Sequence, residues 1–328
     1  MAVKYTKSDA KAYAKQHFRG VWAANLTPFD EALRLDEKAY RSNLKHWIET
    51  LKLGGLFVAG KQAEFFSMSI AERKRLMALS VEVACEAGSR GGLGQAGIVT
   101  SCSDTNLDVV LELGRYSQDI GADYVVIHSP VLHFGADTDE TIFEYYRYLT
   151  EQLDIGIAMW NHPDCGYVMS PELCARIADL PNIVAIKYST DRAAYTRLTE
   201  LAGHKIQVSN PSEEEWLDNM IELGWNLYLC STPPFMLQTA VDQRVNEYTR
   251  LALAGQHAEA RKVRDSLNPA RAAMKASKPA GKPQAHGKVW QELLGQAGGP
   301  VRRPLLQMTA LERSATQAAF AASGLKLG

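Results

Sequence analysis

Short apolar segments recur along the 328-residue chain, each bounded by glycine, proline, serine or asparagine. Most are apolar at every position, which is typical of parallel strands buried on both faces. There are eight such segments: Gly20–Thr27, Gly54–Gly60, Gly91–Gly97, Tyr124–Pro130, Ile155–Asn161, Ile183–Ser189, Lys205–Asn210 and Trp225–Ser231. The third, which is mostly glycine, carries the weakest strand signal and is included because it fits the spacing of the others.

Segments with helical spacing lie between these apolar runs. Ile70–Ala87 places its leucines on one face and its charged residues on the other, and Asn106–Ile120 follows the same pattern. Ser170–Ala178 begins with a serine suited to an N-cap and a proline suited to the first helical position. Strand starts fall 20 to 37 residues apart, which suits strand–helix units with right-handed crossovers. The pattern predicts an α/β protein, a (β/α)8 TIM barrel in preference to an open doubly wound sheet.

The strand signal stops after about residue 240. Val241–Leu267 has a helical pattern, and a final helix is predicted over Ala310–Ser323. Between them, Ala270–Lys288 is basic and rich in alanine, glycine and proline. Because no aromatic residues are interleaved there, a solvated loop between two helices is favoured over a nucleic-acid-binding patch. We predict a barrel over residues 1–240 that carries the active site and a C-terminal helical segment over residues 241–328.

Composition and charge exclude several classes of protein. The 36 Lys and Arg residues against 37 Asp and Glu give a formal net charge of −1, which argues against a nucleic-acid binder or a polybasic membrane-surface protein. No segment approaches the ~18 consecutive apolar residues of a membrane span, and the N-terminus lacks the apolar core of a signal peptide. The five cysteines never form a CxxC pair, which is typical of reduced thiols. We expect a cytoplasmic protein with neither nucleic-acid nor membrane partners.

Residues 92–97 match the GxGxxG pattern of dinucleotide-binding proteins. In such proteins the glycines follow a strand and open a helix. Here the glycines themselves form the predicted third strand, and Ile98–Ser101 continues without helical character. We therefore do not expect a dinucleotide cofactor.

Lys187 is anomalous because it ends the apolar run Ile183–Ser189. Burying an unpaired ammonium group is costly, and the carboxyl ends of barrel strands face the active site. A partly desolvated lysine has a lowered pKa, which frees its amine to attack a carbonyl and form a Schiff base. From position alone, a strand-end lysine that reaches into solvent is equally compatible with the sequence.

The surrounding segment MWNHPDCGYVMSPELCARIADLPNIVAIKYS, residues 159–189, resembles a signature of the N-acetylneuraminate lyase and dihydrodipicolinate synthase family of class I aldolases. Further similarity lies in Gly20-Val21 with Leu26–Phe29, in Gly54–Gly60 with Glu64–Ser67 and Glu72-Arg73, and in the turn Gly299–Leu305. The resemblance implies a (β/α)8 barrel with a C-terminal helical extension, usually assembled as a homotetramer. It also implies that Lys187 forms an imine with a 2-oxo acid such as pyruvate, and that no cofactor is needed besides this covalent imine.

The departures from the family pattern concern the groups that hold substrate and move protons. The family loop G-T-T-G-E is here Gly60–Glu64, with Lys61 and Gln62 in place of both threonines. The tyrosine of Y-N-x-P is Trp160, which cannot serve as an acid and base at an accessible pKa. The aromatic pair after the fourth strand is replaced by Val131-Leu132. We expect a less polar pocket and a substrate outside the lysine-biosynthesis and sialic-acid reactions, such as an aromatic or hydrophobic one.

Three histidines are candidates to replace the missing proton relay. His128, His133 and His162 lie at or just beyond the ends of the fourth and fifth strands, and histidine is the natural acid–base group near neutral pH. We predict His162 as a catalytic residue beside Lys187 and Trp160. A metal site is not favoured, because the histidines lack His-x-His or carboxylate spacing.

The remaining predicted site residues are expected to bind substrate: Lys61, Gln62, Asn161, His133, Ser209 and Cys230. Lys61 fits two roles equally well, pairing with a substrate carboxylate or with Glu64 as a structural bridge. The thiol of Cys230 fits a small buried apolar group better than a nucleophile, and alternation places Tyr188 in the core.

The leading prediction is a Schiff-base lyase, that is, an aldolase, dehydratase or hydratase-aldolase that acts on a 2-oxo acid. Two alternatives remain. The chain could retain Lys187 but serve as a binding or regulatory protein, as the loss of the tyrosine and threonines allows. It could also be a hydrolase or decarboxylase that uses His162 or His133 without an imine.

Overall fold

The computed structural model describes residues 3–88, 96–131, 138–231 and 233–327. These residues form one sheet of eight parallel strands in the order β7-β6-β5-β4-β3-β2-β1-β8. The two outer strands meet where the Leu229 N–H donates to the Ser209 hydroxyl at 2.8 Å, which nearly closes the barrel. The strands are β1 Gly20–Ala24, β2 Gly55–Val58, β3 Gly97–Ser101, β4 Tyr124–His128, β5 Gly156–Asn161, β6 Ile183–Tyr188, β7 Gln207–Ser209 and β8 Leu227–Leu229. The predicted (β/α)8 TIM barrel is confirmed.

One helix precedes β1, seven connect successive strands, and the others follow β8. The helices are α1 Ala10–His17, α2 Glu37–Lys45, α3 Ile70–Glu86, α4 Leu107–Ile120, α5 Asp139–Gln152, α6 Pro171–Ile177, α7 Arg192–Ala202, α8 Glu213–Leu223, α9 Arg244–Leu253, α10 His257–Asp265, α11 Asn268–Ser277, α12 Pro283–Leu293 and α13 Ala310–Ala321. Short helical turns cover Lys7–Asp9, His46–Thr50, Phe65–Ser67, Pro163–Cys165 and Pro234–Met236. None of the helices in the described ranges has the length and apolarity needed to cross a bilayer.

Side-chain caps fix the starts of the predicted helices. Ser69 and Glu72 form a reciprocal capping box at the start of α3, and the Asn106 side chain accepts the Asp108 N–H at the start of α4. Ser170 accepts the Leu173 N–H at the start of α6, and proline occupies the first helical position. The three helices predicted between strands are therefore confirmed, with their ends shifted by at most one residue, and the predicted final helix is confirmed as α13, which ends two residues earlier than predicted.

The third strand was predicted at Gly91–Gly97, and the structure describes only the last two residues of that range. The strand covers Gly97–Ser101, whereas residues 91–95 lie outside the described part of the chain. The first position of the strand requires glycine, because a Cβ atom at Gly97 would lie 2.3 Å from the Trp22 indole. The β-branched residues that follow fit the pleated, buried surface better than the glycines do.

The C-terminal region also differs from its prediction. Residues 241–267 contain two helices, α9 and α10, interrupted at Gly255 with a φ of 75°. The solvated loop predicted over Ala270–Lys288 is wrong, because α11 and α12 occupy most of that segment. Trp290 of α12 packs against Phe320 at 5.0 Å, and both belong to the same core as the barrel. Polar residues of α12 are buried because they form hydrogen bonds or ion pairs inside the protein. A hydrophobicity pattern therefore does not identify the face of α12 that packs inward.

Candidate active site

Four predicted or candidate residues stand at one level of the barrel, at the carboxyl ends of adjacent strands. His128 pairs with Trp160, Trp160 pairs with Lys187, and Lys187 pairs with Ser209 in the strand register. In parallel strands, paired positions direct their side chains to the same face. The sequence therefore brings these side chains to the end of the barrel where active sites of this fold lie.

Lys187 is buried, with 4% of its surface exposed, so it does not reach into solvent. Its Nζ donates to the Cys230 carbonyl at 2.6 Å and lies 5.3 Å from the centre of the Phe57 ring and 5.6 Å from that of Trp160. Burial, which disfavours the ammonium form, lowers the pKa of Lys187 to about 8. An appreciable fraction of the amine is therefore neutral, and nucleophilic, in mildly alkaline solution.

Trp160 separates Lys187 from two histidines. Its ring centre lies 5.9 Å from that of His128 and 5.9 Å from that of His162. The indole meets the Phe57 ring edge to face at 6.3 Å, and its buried Nε1 has no hydrogen-bond partner among the described residues. Trp160 thus forms an apolar wall where a tyrosine hydroxyl stands in the family pattern.

The hydrogen bonds of the two histidines assign them opposite tautomers. His128 Nδ1 lies 2.6 Å from the Ser129 carbonyl; because a carbonyl only accepts, Nδ1 carries the proton and Nε2 has a free lone pair. His162 Nδ1 accepts the Asp164 N–H at 3.1 Å, so the neutral ring carries its proton on Nε2. Burial lowers the pKa of both rings below their ordinary value. In their neutral forms the pair therefore offers one basic nitrogen, His128 Nε2, and one hydrogen-bond donor, His162 Nε2–H.

A cavity of about 450 Å³ opens beside Trp160 and both histidines. Phe65, Phe66 and Trp160 supply its aromatic walls. Its charged residues are joined in pairs: Lys61 with Asp164, and Arg73 with Asp104 at 2.9 Å. The cavity thus combines aromatic surface with charges that neutralise one another.

Lys61 contacts Asp164, and the predicted alternative of a bridge to Glu64 is wrong. Glu64 adopts a left-handed backbone with a φ of 65°, and its carboxylate is fully buried. Lys288 Nζ lies 2.6 Å from Glu64 Oε1, with both side chains at most 1% exposed. The backbone N–H of Arg302 donates to Glu64 Oε2 at 2.8 Å. The C-terminal region therefore anchors the loop that carries Lys61.

Gln62 stands between this site and a second cavity of about 490 Å³, which lies under α11 and α12. Its Nε2 donates to the Ser231 carbonyl at 2.9 Å. The Gln284 side chain on α12 donates to the Lys61 carbonyl at 3.4 Å. Both ends of this short loop segment are thus held by backbone carbonyl contacts, leaving the Lys61 head group at the mouth.

The other predicted residues make internal contacts. Asn161 accepts the Met169 N–H at 2.9 Å, and Ser209 accepts the Leu229 N–H at 2.8 Å. The Cys230 thiol accepts the Ala24 N–H at 3.1 Å, and burial raises its pKa to about 11. His133, like Leu132, lies outside the described residues, and no three candidate metal-ligating side chains come together within the described ranges. Of this group, Cys230 touches Lys187 directly, through its carbonyl.

Sequence reasoning missed the buried Glu64–Lys288 pair and the Arg73–Asp104 pair. Arg73 is 2% exposed, and it also donates to the Ser101 and Ser103 carbonyls. A signal for Lys288 exists, because it directly precedes Val289 and Trp290 in the sequence. Buried lysines are rare unless paired, so a charge beside large apolar residues indicates an internal partner.

Comparison with known proteins agrees with this architecture. The profile of the dihydrodipicolinate synthetase family matches residues 17–323. A 4-hydroxy-tetrahydrodipicolinate synthase from Methanothrix thermoacetophila is 27% identical over 295 residues, covering 89% of this chain and 92% of the relative. An uncharacterized DapA-like lyase from Thermococcus kodakarensis is 32% identical over 180 residues, covering 55% of this chain and 58% of the relative.

Solved structures share the fold at lower sequence identity. A monomeric dihydrodipicolinate synthase variant superposes with a TM-score of 0.80 at 23% identity, over 95% of this chain and 99% of that one. The protein CdNal from Clostridium difficile, solved in complex with mannosamine, gives a TM-score of 0.78 at 21% identity, over 93% and 99% of the two chains. With a profile match over nearly its whole length, the chain belongs to the dihydrodipicolinate synthetase family.

Proposed function

We propose that this protein is a lyase that forms a Schiff base between Lys187 and a 2-oxo acid. The observation that carries the proposal is the buried Lys187 amine, whose pKa burial lowers to about 8. The neutral amine attacks the substrate ketone, and the carbonyl oxygen leaves as water to give an iminium ion. This cation accepts the electron pair released when a neighbouring C–C or C–O bond breaks. The synthase and lyase names of the relatives support the same class of reaction.

The proton relay we propose uses the two histidines in place of the tyrosine. His128 Nε2, with its free lone pair, accepts the proton from the carbon next to the iminium. His162 Nε2 exchanges a proton with the substrate oxygen: the imidazolium form, with Asp164 Oδ1 3.3 Å from Nδ1, gives a proton to oxygen that leaves as water, and the neutral form takes the hydroxyl proton when the oxygen becomes the carbonyl of a released product. Trp160 lies 5.9 Å from each ring and contributes an apolar wall without exchanging protons. Two histidines would thus share the proton-donating and proton-accepting functions that a single tyrosine performs in the family pattern.

The substrate we propose is less polar than a sugar or an amino-acid chain. The Phe57 and Trp160 rings lie beside Lys187 Nζ, and Phe65 lines the cavity next to Trp160. Val131 stands where many family members carry a tyrosine. A 2-oxo acid with a hydrophobic or aromatic substituent fits these surroundings. The 2-oxo carboxylate would lie near the loop that carries Lys61 and Gln62.

Borohydride trapping tests the proposal. Reduction in the presence of pyruvate, 2-oxobutyrate or phenylpyruvate should fix the substrate to the chain, since reduction converts the imine to a stable amine. Intact mass should rise by one reduced adduct, and peptide mapping should locate it at Lys187. A Lys187→Met protein is the matched control and should gain no mass. Absence of an adduct with all three acids would overturn the Schiff-base mechanism.

If the histidines form the relay, substituting either one should lower turnover without preventing imine formation. His128→Gln and His162→Gln should each lower kcat by about 10²- to 10⁴-fold, because proton transfer loses its positioned group. Both should still yield the borohydride adduct, since the Lys187 amine remains. His204→Gln, at an exposed position, should change neither quantity.

The pH profile gives the relay a second test. A base is active only when neutral, and the pKa of His128 lies below its ordinary value. The rate of proton transfer after the imine has formed, when Lys187 is no longer a free amine, should therefore be constant near neutral pH and decline only as pH falls well below about 6.5. A kcat that keeps its value in both glutamine variants would exclude the histidines from the relay.

A further inference from the structure

We infer that the cavity beside Trp160 binds an aromatic ring carried by the 2-oxo acid. The preferred substrates would then be arylidene or aryl-bearing 2-oxo acids, with an aromatic aldehyde as the second carbonyl component. The inference rests on the proposed function, since it names the substrate class for the same lysine. It follows from the position, the walls and the charge of the cavity.

Position links the cavity to the reactive amine. Trp160 lines the cavity, and its ring centre lies 5.6 Å from Lys187 Nζ. The indole therefore borders both the reactive amine and the cavity, and a substituent on the carbon chain of the iminium can lie along it. The same indole then stacks with, or meets edge to face, any ring that enters the cavity.

The walls favour a ring over an extended polar chain. The Phe65 and Phe66 rings lie 5.8 Å apart at an interplanar angle of 70°, and Met68 and Ile70 complete the apolar side. Phe66 leaves 45% of its surface exposed, although it borders a cavity of about 450 Å³. A bound ring would cover this exposed aromatic surface and form the tilted contacts that aromatic pairs prefer.

The charges of the cavity leave no free partner for an ionic substituent. Arg73 is held by Asp104 and by two backbone carbonyls, and Lys61 is paired with Asp164. The second cavity, under α11 and α12, has five charged residues in its lining, which are Glu213, Glu214, Arg271, Lys275 and Lys278. Of the two cavities, the one beside Trp160 therefore suits a neutral aromatic group.

The reaction needs no external oxidant or reductant. Loss of a proton from the carbon next to the iminium gives an enamine, which attacks the aldehyde carbon and forms one C–C bond. The aldehyde oxygen takes up a proton to become a hydroxyl, which can leave as water to give the conjugated double bond. Water then hydrolyses the imine and frees Lys187. The reverse sequence hydrates the double bond and releases the aldehyde.

A competition between two acids tests the cavity directly. The native protein is reduced with borohydride in an equimolar mixture of pyruvate and benzylidenepyruvate, and both adducts are quantified by mass spectrometry. The aryl adduct should dominate by about ten-fold or more, as one well-packed ring provides. The pyruvate adduct serves as an internal standard, so a variant that folds poorly does not distort the ratio.

Two filling variants separate the cavities. Ile70→Trp fills the cavity beside Trp160 and should lower the aryl-to-pyruvate ratio by about ten-fold. Met274→Trp fills the second cavity and should leave the ratio within about two-fold of native. A ratio unchanged in Ile70→Trp, or lowered only in Met274→Trp, would overturn the assignment while leaving the Schiff base intact. Absence of both adducts in the native protein would instead overturn the proposed function, and the inference with it.

Discussion

Replacing Lys187 with methionine should abolish turnover and at the same time make the folded protein more stable. Loss of the nucleophile should lower the rate on the order of 10⁴-fold or more, as for other essential nucleophiles. The pKa of Lys187 falls from 10.5 to about 8 on burial, which corresponds to a cost of about 3 kcal/mol at neutral pH. Loss of the hydrogen bond to the Cys230 carbonyl offsets about 1 kcal/mol of the gain. A net increase of about 2 kcal/mol in the free energy of unfolding is expected.

The pH dependence of this gain has a definite sign. Below pH 8 the lysine is protonated in both the folded and unfolded states, so the advantage of methionine is constant. Between about pH 8 and pH 10.5 the folded state releases the proton while the unfolded state keeps it. The advantage of the variant should therefore shrink across that range.

Urea unfolding at pH 7 and pH 10, together with turnover assays, measures both effects. Lys262→Met on the exposed face of α10 is the matched control and should change neither stability nor rate by much. A Lys187→Met protein that loses activity and stability together would indicate a structural role for the lysine.

Breaking the Glu64–Lys288 pair should have the largest effect on stability. Glu64→Gln leaves the Lys288 ammonium without its counter-charge at a site where it is at most 1% exposed. Removing one partner of a buried pair destabilises proteins by about 3–5 kcal/mol. The double variant Glu64→Gln/Lys288→Met removes the orphaned charge and should recover most of that loss.

The matched control is a pair of the same chemistry at the surface. Lys74 and Glu112 lie 2.6 Å apart with 28% and 47% of their side chains exposed, so Glu112→Gln should cost less than about 1 kcal/mol. Chemical unfolding of the four proteins gives the comparison. Equal losses in Glu64→Gln and Glu112→Gln would show that burial does not strengthen the inner pair.

The barrel could be predicted because parallel strands buried on both faces leave continuous apolar runs. Each run marks its strand, and the polar residues just beyond it mark the mouth. The third strand includes Ile98–Ser101, which was not predicted as strand. Its first residue, Gly97, packs against Trp22 of β1, and this tertiary contact cannot be read from the local sequence. Helix α12 was missed because its buried polar residues, such as Lys288, look like surface residues in a hydrophobicity pattern.

The site was predictable to the extent that strand register determines it. Lys187, Trp160 and His128 are placed by neighbouring strands, so their proximity follows from the barrel itself. The partner of Lys61 depends on the left-handed turn at Glu64 and on the conformation of the loop around Asp164. Such loop geometry is determined by tertiary contacts, which a single sequence does not specify.

The contact between Glu64 and the backbone of Arg302 joins residues 238 positions apart. A ribosome adds about 5–20 residues per second. The loop that carries Lys61 and Gln62 is therefore synthesised on the order of ten seconds or more before Arg302, which holds it in place. Lys187 has left the ribosome well before that moment. The reactive amine is therefore made before the surroundings that select its substrate. During synthesis, the ability to discriminate between carbonyl compounds should be among the last properties the chain acquires.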